Sequence, residues 1–310
     1  MNKDKDKEIS EPSGHKSVLT GEVLTYLALK PNGHYLDVTF GAGGHTRAIL
    51  DSQETARVTS FDWDLKSIED YGTALQEEYS NRLSIVWGNF AQLNHLIKKH
   101  KIAALDGILA DFGTSQMHIF DRAGFSVRKD TELDMRMSPA HQQITAAQVV
   151  NTASEEKLTQ IFLQLGEERF ARFVARAIVQ RRQKQKFKTT LDLAAVVMHA
   201  IPNRAQTRIH PATKVFQALR MYVNHELENI NAFLIAAMRE LKPGARLVCI
   251  SFHSLEDRLV KNFFRQMELE GKAIVLTKKV VTATQEEVAR NPSSRSAKLR
   301  AIEIIAHQSV

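Results

Sequence analysis

The chain has 310 residues, of which 43% are hydrophobic and 25% are charged, and these proportions exclude a disordered, collagen-like or coiled-coil protein. The formal net charge of +7 is compatible with an anionic partner and equally with a role in solubility. The single cysteine, Cys249, excludes an internal disulfide framework and a cysteine-built zinc site, and it favours a reducing compartment.

The N-terminal residues 1–14 are polar and charged, and we expect a flexible tail without a motif. No apolar stretch reaches the roughly 18–20 residues that span a bilayer, and the first residues lack the apolar core of a secretory signal. The sequence therefore predicts a cytoplasmic protein without a membrane segment.

A regular alternation of short β-rich runs and longer helical runs begins at Tyr35. Four strands are predicted, over residues 35–39, 57–61, 83–87 and 107–110. Strands that alternate with helices predict a parallel sheet with helices on both faces, which is the α/β class.

The alternation stops after Asp111 and resumes with a fifth predicted strand over residues 246–252. The interval is longer than a crossover needs, and its helical patterns cover residues 145–150, 155–185, 190–200 and 212–240. We interpret it as a helical domain, residues 115–211, inserted into a sheet domain of residues 15–114 and 212–310. Two later β-rich segments, 273–281 and 299–306, are predicted to finish the sheet as an antiparallel pair.

A glycine-rich loop, Gly41-Ala42-Gly43-Gly44-His45, follows the first predicted strand and opens a helix. Glycines at such a place let the backbone approach a ligand while helix N-terminal amides face it, although a plain tight turn has the same composition. The pattern G-x-G-x-x-G is incomplete because Thr46 stands at the third glycine.

Three further candidates stand at or just past the ends of the following strands, namely Asp62, Phe90 and Asp111. Asp62 is placed to accept hydrogen bonds from ribose hydroxyls, or alternatively to cap the helix that follows. Phe90 either covers an adenine ring or belongs to the core. Because these strand ends share the carboxyl edge of the sheet, we expect an adenine nucleoside cofactor, either a nicotinamide dinucleotide or S-adenosylmethionine (SAM). The missing third glycine and the antiparallel pair favour SAM.

Asp111, Asp134 and His253 are the candidate catalytic residues. Asp111 lies where the chain leaves the sheet for the insertion, and its alternative role is to cap the next element. Asp134 either handles a proton or pairs with Arg136 at the surface. His253 is either a proton acceptor or a structural histidine.

Eight basic residues and no acidic ones lie between Arg169 and Lys188, which favours phosphate binding as much as a solvated face. Part of this run has a helical period, with the arginines predicted on one face and Phe170 and Phe173 on an apolar one. The predicted phosphate-binding residues are Arg169, Arg172, Arg176, Arg181, Arg182, Lys214, Arg220 and Arg295.

Metal and hydrolase chemistry find no support in the sequence. None of the twelve histidines falls into H-E-x-x-H or another ligand spacing, so no metal site is predicted. Ser251 and Ser254 lack the G-x-S-x-G elbow of a nucleophilic serine.

Taken together, the motifs resemble those of the RsmH (MraW) family of ribosomal RNA small-subunit methyltransferases, over nearly the whole chain from His15. The resemblance is carried by Asp62 and by the strings HKSVL, TFGAGGH, DGILADFGTS, GFSVRKD, LDMRM, GEERFARFVARAI, HPATKVFQALR, VNHEL, SFHSLEDRLVK and NPSSRSAKLR. It implies SAM-dependent methylation of the exocyclic amine, N4, of one cytosine in the decoding region of 16S rRNA. It also implies a class I (Rossmann-like) methyltransferase sheet interrupted by a helical domain that recognises the rRNA.

Carried over position by position, the resemblance implies cofactor contacts at Gly43, Gly44, His45, Asp62, Phe90, Asp111 and His118. His118 aligns with a glutamine of the family, and the basic residues named above would hold rRNA phosphates.

Two alternatives stay open at this point. The loop after Asp111 departs from the family pattern DLGVSSPQLD, so a catalytically impaired homologue that acts as an RNA-binding ribosome-assembly factor is the second hypothesis. A nicotinamide oxidoreductase survives only if the resemblance is set aside. Neither a metal nor a membrane partner is expected, and the oligomeric state is left open, a homodimer included.

Overall fold

The computed structural model describes residues 16–112, 122–202 and 210–306. The chain divides into two compact units. One, here called the sheet unit, comprises Met1–Gly113 and Phe233–Val310, and the other, the helical unit, comprises Thr114–Ala232.

Eight strands form one sheet within the described residues. In chain order they are β1 (His34–Asp37), β2 (Arg57–Asp62), β3 (Leu83–Trp87), β4 (Leu105–Asp111), β5 (Leu241–Ser251), β6 (Ala273–Val275), β7 (Val281–Thr282) and β8 (Lys298–Ile304). Their order across the sheet is β3-β2-β1-β4-β5-β8-β6, and β7 also pairs with β8. Strands β1 to β5 are parallel, whereas β8 is antiparallel to β5, β6 and β7. The predicted antiparallel finish is confirmed, although residues 273–281 form parts of two short strands.

Helices connect these strands and build the helical unit. In chain order they are α1 (Thr20–Leu27), α2 (Gly44–Ser52), α3 (Leu65–Ser67), α4 (Thr73–Tyr79), α5 (Leu93–His100), α6 (Ala146–Thr152), α7 (Glu155–Gln164), α8 (Ala171–Lys184), α9 (Thr190–Ala200), α10 (Thr213–Asn224), α11 (Glu226–Glu240), α12 (Ser254–Leu269) and α13 (Gln285–Arg290). A π-helical turn, Ile68–Gly72, joins α3 to α4. No helix within the described residues is long and apolar enough to cross a bilayer.

Two of the predicted helices are each divided by a sharp turn. The run over 155–185 breaks after α7, where Glu167 has a φ of +47° and a Cβ on Gly166 would lie 2.7 Å from the carbonyl oxygens of Phe162 and Lys214. The run over 212–240 breaks at His225, whose φ of +51° ends α10. A left-handed residue cannot continue an α-helix, so each run forms two helices.

The helical unit continues further along the chain than the predicted boundary at residue 211. Helix α10 contributes Val215, Phe216, Ala218 and Leu219 to the apolar core of this unit, together with residues of α6 to α9. The predicted return to the sheet domain at residue 212 therefore differs from the structure, in which the sheet unit resumes at Phe233 within α11. The alternation of strand and helix could not locate this point, because α10 and α11 have the same helical period.

Candidate active site

The loop between β1 and α2 contains two glycines with positive φ, Gly41 at +55° and Gly43 at +80°. A Cβ on Gly43 would lie 2.8 Å from Leu75 Cδ2 and 2.9 Å from Phe40 Cε2, so both packing and conformation require glycine there. A Cβ on Gly41 would lie 3.9 Å from the carbonyl oxygen of Thr39, which is ordinary contact distance. The loop therefore has open space beside Gly41, a residue that was not among the predicted cofactor contacts.

The predicted contacts Gly43, Gly44 and His45 lie together at the start of α2. Gly43 is the N-cap of this helix, and as a glycine it has no side chain with which to cap the first turn. The first amides of an α-helix have no partner within the helix, and they suit an anionic or oxygen-rich ligand group. The start of α2 therefore offers backbone amides of the kind that the glycine pattern predicts.

Thr46, the residue at the position of the missing third glycine, is fully buried and braces the strand ends. Its Oγ1 donates to Oδ2 of Asp37 at 2.8 Å and lies 2.8 Å from Oγ of Ser60. Asp37 also accepts from the backbone N–H of Thr39 at 3.1 Å. Burial raises the pKa of the Asp37 carboxyl, while the nearby His45 and the hydrogen bonds oppose that rise. A glycine at this position would let the helix pack closely on the strands. Thr46 instead links α2 to β1 and β2 through buried hydrogen bonds.

Asp62, at the end of β2, organises the loop. Its Oδ2 accepts from the backbone N–H of Gly41 at 2.7 Å, and its Oδ1 accepts from the N–H of Asp64 at 2.7 Å. The helix cap considered for Asp62 is provided by Asp64 instead, which accepts from the N–H of Lys66. Because a carboxylate has about four lone-pair sites, Asp62 retains capacity for hydroxyl donors.

Asp111, at the end of β4, lies next to the start of α2. Its backbone N–H donates to Thr39 Oγ1 at 2.8 Å, and its Oδ2 lies 3.6 Å from Nε2 of His45. Its Oδ1 is buried and has no hydrogen-bond partner among the described residues. A buried carboxylate oxygen without a donor is costly, which marks Asp111 as a site for a ligand that donates a hydrogen bond.

Three phenylalanine rings form a cluster in the sheet unit. The ring centroids of Phe90 and Phe112 are 5.8 Å apart, and each lies within 5.9 Å of the ring of Phe233. Phe90 and Phe112 are half-buried and Phe233 is fully buried, so Phe233 supports the other two rings. Sequence reasoning did not find Phe233, since nothing local distinguishes it from the other apolar residues of α11.

His253 caps α12 instead of facing an open site. Its Nδ1 accepts from the backbone N–H of Glu256 at 3.3 Å, and Oε2 of Glu256 accepts from the backbone N–H of His253, also at 3.3 Å. The other ring nitrogen, Nε2, lies 3.1 Å from Oε1 of Glu256, which is almost completely buried. This reciprocal arrangement is a capping box and favours the structural role over proton acceptance.

Asp134, in the helical unit, is paired with Arg136 through both carboxylate oxygens, at 2.8 Å each. Burial opposes ionisation, but the hydrogen bonds and charge of Arg136 outweigh it and lower the pKa of the Asp134 carboxyl. A carboxylate held in this way is a weak proton acceptor. The structure therefore favours the pairing with Arg136 over a role in proton transfer.

Some of the predicted phosphate-binding residues are engaged within the protein. Arg182 donates to the carbonyl oxygens of Val150 and Ala153, at 2.8 and 2.7 Å, and so caps the C-terminus of α6. Arg220 forms a bidentate pair with Glu226, at 2.8 and 2.9 Å.

Two further basic residues bind nearby backbone, although Lys214 is itself exposed. Lys214 Nζ donates to the carbonyl oxygen of Glu167 at 3.0 Å, and Arg181 to that of Gln185 at 2.5 Å. These contacts compete with phosphate binding at both positions.

The remaining predicted cations are exposed. Arg172 makes no hydrogen bond or ion pair within the described residues, and Arg176 has one longer contact, 3.5 Å from Nε to Oε1 of Glu155. Arg169 lies in the turn before α8, and Arg295 lies in the sheet unit, on the 3-10 turn Pro292–Ser296.

The apolar face predicted for α8 is wrong at Phe173. The buried residues of this helix are Ala171, Val174, Ala175 and Ile178, whereas Phe173 is 63% exposed. His118, the last predicted cofactor contact, lies outside the described residues.

The sheet order with its antiparallel β8, the glycine loop and the acids that end β2 and β4 define a class I SAM-dependent methyltransferase. Residues 12–305 match the model of the MraW methylase family. The chain belongs to this family.

Curated relatives agree with the family match. A ribosomal RNA small subunit methyltransferase H from a Cyanothece species is 47% identical over 287 residues, which are 92% of this chain and 93% of the relative. The protein of the same name from Nostoc punctiforme is 46% identical over 292 residues, 93% of each chain. Among solved structures, a putative rRNA-methylase from Clostridium thermocellum is 13% identical with a TM-score of 0.46, covering 94% of this chain and 100% of that one. That structural likeness is too distant to carry an argument.

Proposed function

We propose that this protein transfers a methyl group from SAM to N4 of one cytosine in the decoding region of 16S rRNA. Membership of the MraW methylase family and the names of its curated relatives support the reaction class and the rRNA substrate. The observation that carries the site assignment is Oδ1 of Asp111, a buried acceptor at the carboxyl edge of the sheet that has no donor among the described residues. A cytoplasmic location follows from such a substrate.

The residues at the sheet edge fit the cofactor. Gly41 keeps open space in the loop, the uncapped start of α2 offers amides, and Asp62 has acceptor capacity for ribose hydroxyls. Phe90 presents a ring suited to the adenine, supported from behind by Phe233. When bound, SAM supplies an electrophilic methyl group on a positively charged sulfonium.

Asp111 provides the chemistry that a cytosine amine needs. The nitrogen is a poor nucleophile because its lone pair is delocalised into the ring. A carboxylate oxygen that accepts an N–H from this amine localises the lone pair and stabilises the positive charge that develops on nitrogen. In this proposal the same oxygen takes the amine proton afterwards, and Nε2 of His45, 3.6 Å from Oδ2, helps to hold the carboxylate in position.

Binding of the rRNA is assigned to the exposed cations of the helical unit. Arg172 and Arg176 have the least competition from neighbouring groups, whereas Arg182 and Arg220 are engaged within the protein. Phosphate contacts of this kind fix the position of the RNA without reading its sequence.

Replacement of Asp111 tests the assignment. Small ribosomal subunits from a strain that lacks the modification are incubated with labelled SAM and with the wild type, Asp111→Asn or Asp111→Ala. We expect both variants to lose about 10²–10⁴-fold in the rate of methyl transfer, which is the range for a removed acid–base group. The exposed Asp70 gives a matched control, and Asp70→Asn should retain full activity.

The controls separate the outcomes. Circular dichroism checks that each variant is folded, and calorimetry reports its affinity for SAM. A folded Asp111→Ala variant with wild-type activity contradicts the assignment. Binding of the subunits without methylation by the wild type would favour the alternative of an RNA-binding assembly factor.

A further inference from the structure

The solvent side of α8 carries an aromatic ring where a soluble helix normally has a polar residue. Phe173 is 63% exposed, and it lies opposite the buried residues Val174 and Ile178. Single exposed apolar residues are common, so exposure alone indicates no site. The significance of Phe173 depends on its neighbours.

Those neighbours are cations. Arg169, Arg172, Phe173 and Arg176 recur at spacings of three and four residues, which places them on one helical face or its extension into the preceding turn. Within the described residues the one acid paired with them is Glu155, 3.5 Å from Nε of Arg176. Half of the Arg176 side chain remains exposed despite this contact.

A second aromatic ring extends the strip. The ring centroids of Phe170 and Phe173 are 6.5 Å apart with planes inclined at 55°, and the guanidinium of Arg169 lies 4.8 Å from the Phe170 centroid. Phe170 is partly buried, whereas Phe173 is exposed. One ring face is thus offered to solvent within a row of positive charge.

This combination matches unpaired RNA in particular. Proteins bind single-stranded nucleic acid by stacking bases on exposed aromatic rings while cations hold the adjacent phosphates. A second copy of this chain fits less well, because a two-fold contact through this face would bring arginines of the two copies together. Charge complementarity therefore selects a polyanion with flat, stackable groups.

We propose that Phe173 is a stacking platform for one unpaired base of the rRNA substrate, whose flanking phosphates are bound by Arg172 and Arg176. The proposal rests on the proposed function insofar as it takes RNA as the substrate. It adds a residue that selects unpaired over paired RNA, which phosphate contacts alone do not do.

The test compares Phe173→Ala and Phe173→Trp with the wild type. The probe is a short single-stranded RNA that carries 2-aminopurine, whose fluorescence changes when it stacks, and the second probe is the same RNA annealed to its complement. Loss of one base–aromatic stack corresponds to about 1–3 kcal/mol, so Phe173→Ala should weaken single-strand binding by about 5- to 150-fold. Phe173→Trp should retain the affinity and the fluorescence change, and the duplex should bind both variants and wild type alike.

Two controls isolate stacking from charge and from folding. Leu163, on α7, is 55% exposed, and Leu163→Ala removes a similar apolar surface without an expected effect on RNA affinity. Arg172→Ala with Arg176→Ala should lower both the affinity and its salt dependence, by about 0.7 in the logarithmic slope for each lost phosphate contact. Phe173→Ala should leave that slope unchanged.

The possible failures are distinguishable. Unchanged affinity of Phe173→Ala, with weaker binding by the double arginine variant, overturns the stacking platform and leaves the RNA-binding face intact. Unchanged RNA affinity of both Phe173→Ala and the double arginine variant overturns the stacking platform and also removes α8 from the RNA interface. The proposed function is tested separately, by the rate at which the protein methylates the small subunits. Loss of self-association in Phe173→Ala, with unchanged RNA affinity, would assign the ring to a contact between copies of this chain.

Discussion

Replacement of Thr46 by valine tests the buried network beneath the glycine loop. The change removes one hydroxyl and keeps the shape of the side chain. Thr46 Oγ1 lies 2.8 Å from both Asp37 Oδ2 and Ser60 Oγ, and all three residues are buried. A hydrogen bond to a charged group contributes about 1.5–3 kcal/mol, so we expect Thr46→Val to lower the free energy of unfolding by about 2–3 kcal/mol at neutral pH.

The loss should depend on pH in a defined direction. Burial raises the pKa of the Asp37 carboxyl above its usual 3.8. The native state therefore holds the proton of this carboxyl more tightly than the unfolded chain does. The contribution of Asp37 to stability is present below pH 3.8 and falls as the pH rises from 3.8 through the raised pKa. The Thr46 hydroxyl favours the ionised carboxylate. Its removal raises the pKa of Asp37 further, so the destabilisation is smallest near pH 4 and larger at pH 7.

Urea unfolding of the wild type and Thr46→Val at both pH values measures this difference. The exposed Thr25 of α1 supplies the control, and Thr25→Val should stay within about 0.5 kcal/mol of the wild type. Thr46→Gly, which completes the pattern G-x-G-x-x-G, should be at least as unstable as Thr46→Val. A Thr46→Val variant as stable as the wild type, or equally destabilised at both pH values, would show that the Thr46 hydroxyl does not stabilise the ionised Asp37 carboxylate.

Three further sets of substitutions separate structural from functional roles. In thermal unfolding, Gly43→Ala should destabilise the protein more than Gly41→Ala. Both positions have a left-handed backbone, but only at Gly43 does a steric clash add about 1–3 kcal/mol. Equal losses of stability would contradict this. Arg182→Ala should lose about 1–3 kcal/mol of stability with little change in RNA affinity. Weaker RNA binding at unchanged stability would place Arg182 in the RNA interface. His253→Ser should keep both stability and methyl transfer, because serine also caps a helix, whereas His253→Ala should lose about 1 kcal/mol of stability. A folded but inactive His253→Ser variant would instead assign proton transfer to His253.

The sheet and its ligand edge could be predicted from local patterns. Short β-rich runs separated by helical ones identify a parallel sheet, and residues at the strand ends must then share one edge, as the loop from Gly41 and the acids Asp62 and Asp111 do. Strand β8 could also be predicted, because polar and apolar residues largely alternate over Lys298–Ile304, in step with its half-buried and buried positions.

Other features depend on contacts between residues far apart in the chain. Phe233 joins Phe90 and Phe112 from a helix whose period gives no sign of it, and the end of the helical unit at Ala232 depends on what α10 packs against. Phe173 was misplaced because a phenylalanine at helical spacing normally belongs to the buried face. Residues that depart from such a rule without a packing reason are candidates for function.

The product that the protein makes is the decisive readout of the proposed function. Mass spectrometry of 16S rRNA from a strain lacking the modification, with and without this protein supplied in trans, locates every new methyl group. We expect one methyl group on the exocyclic N4 of a single cytosine in the decoding region, present with the wild type and lost with Asp111→Ala. Methylation at another atom, or its persistence in a folded Asp111→Ala variant, would contradict it.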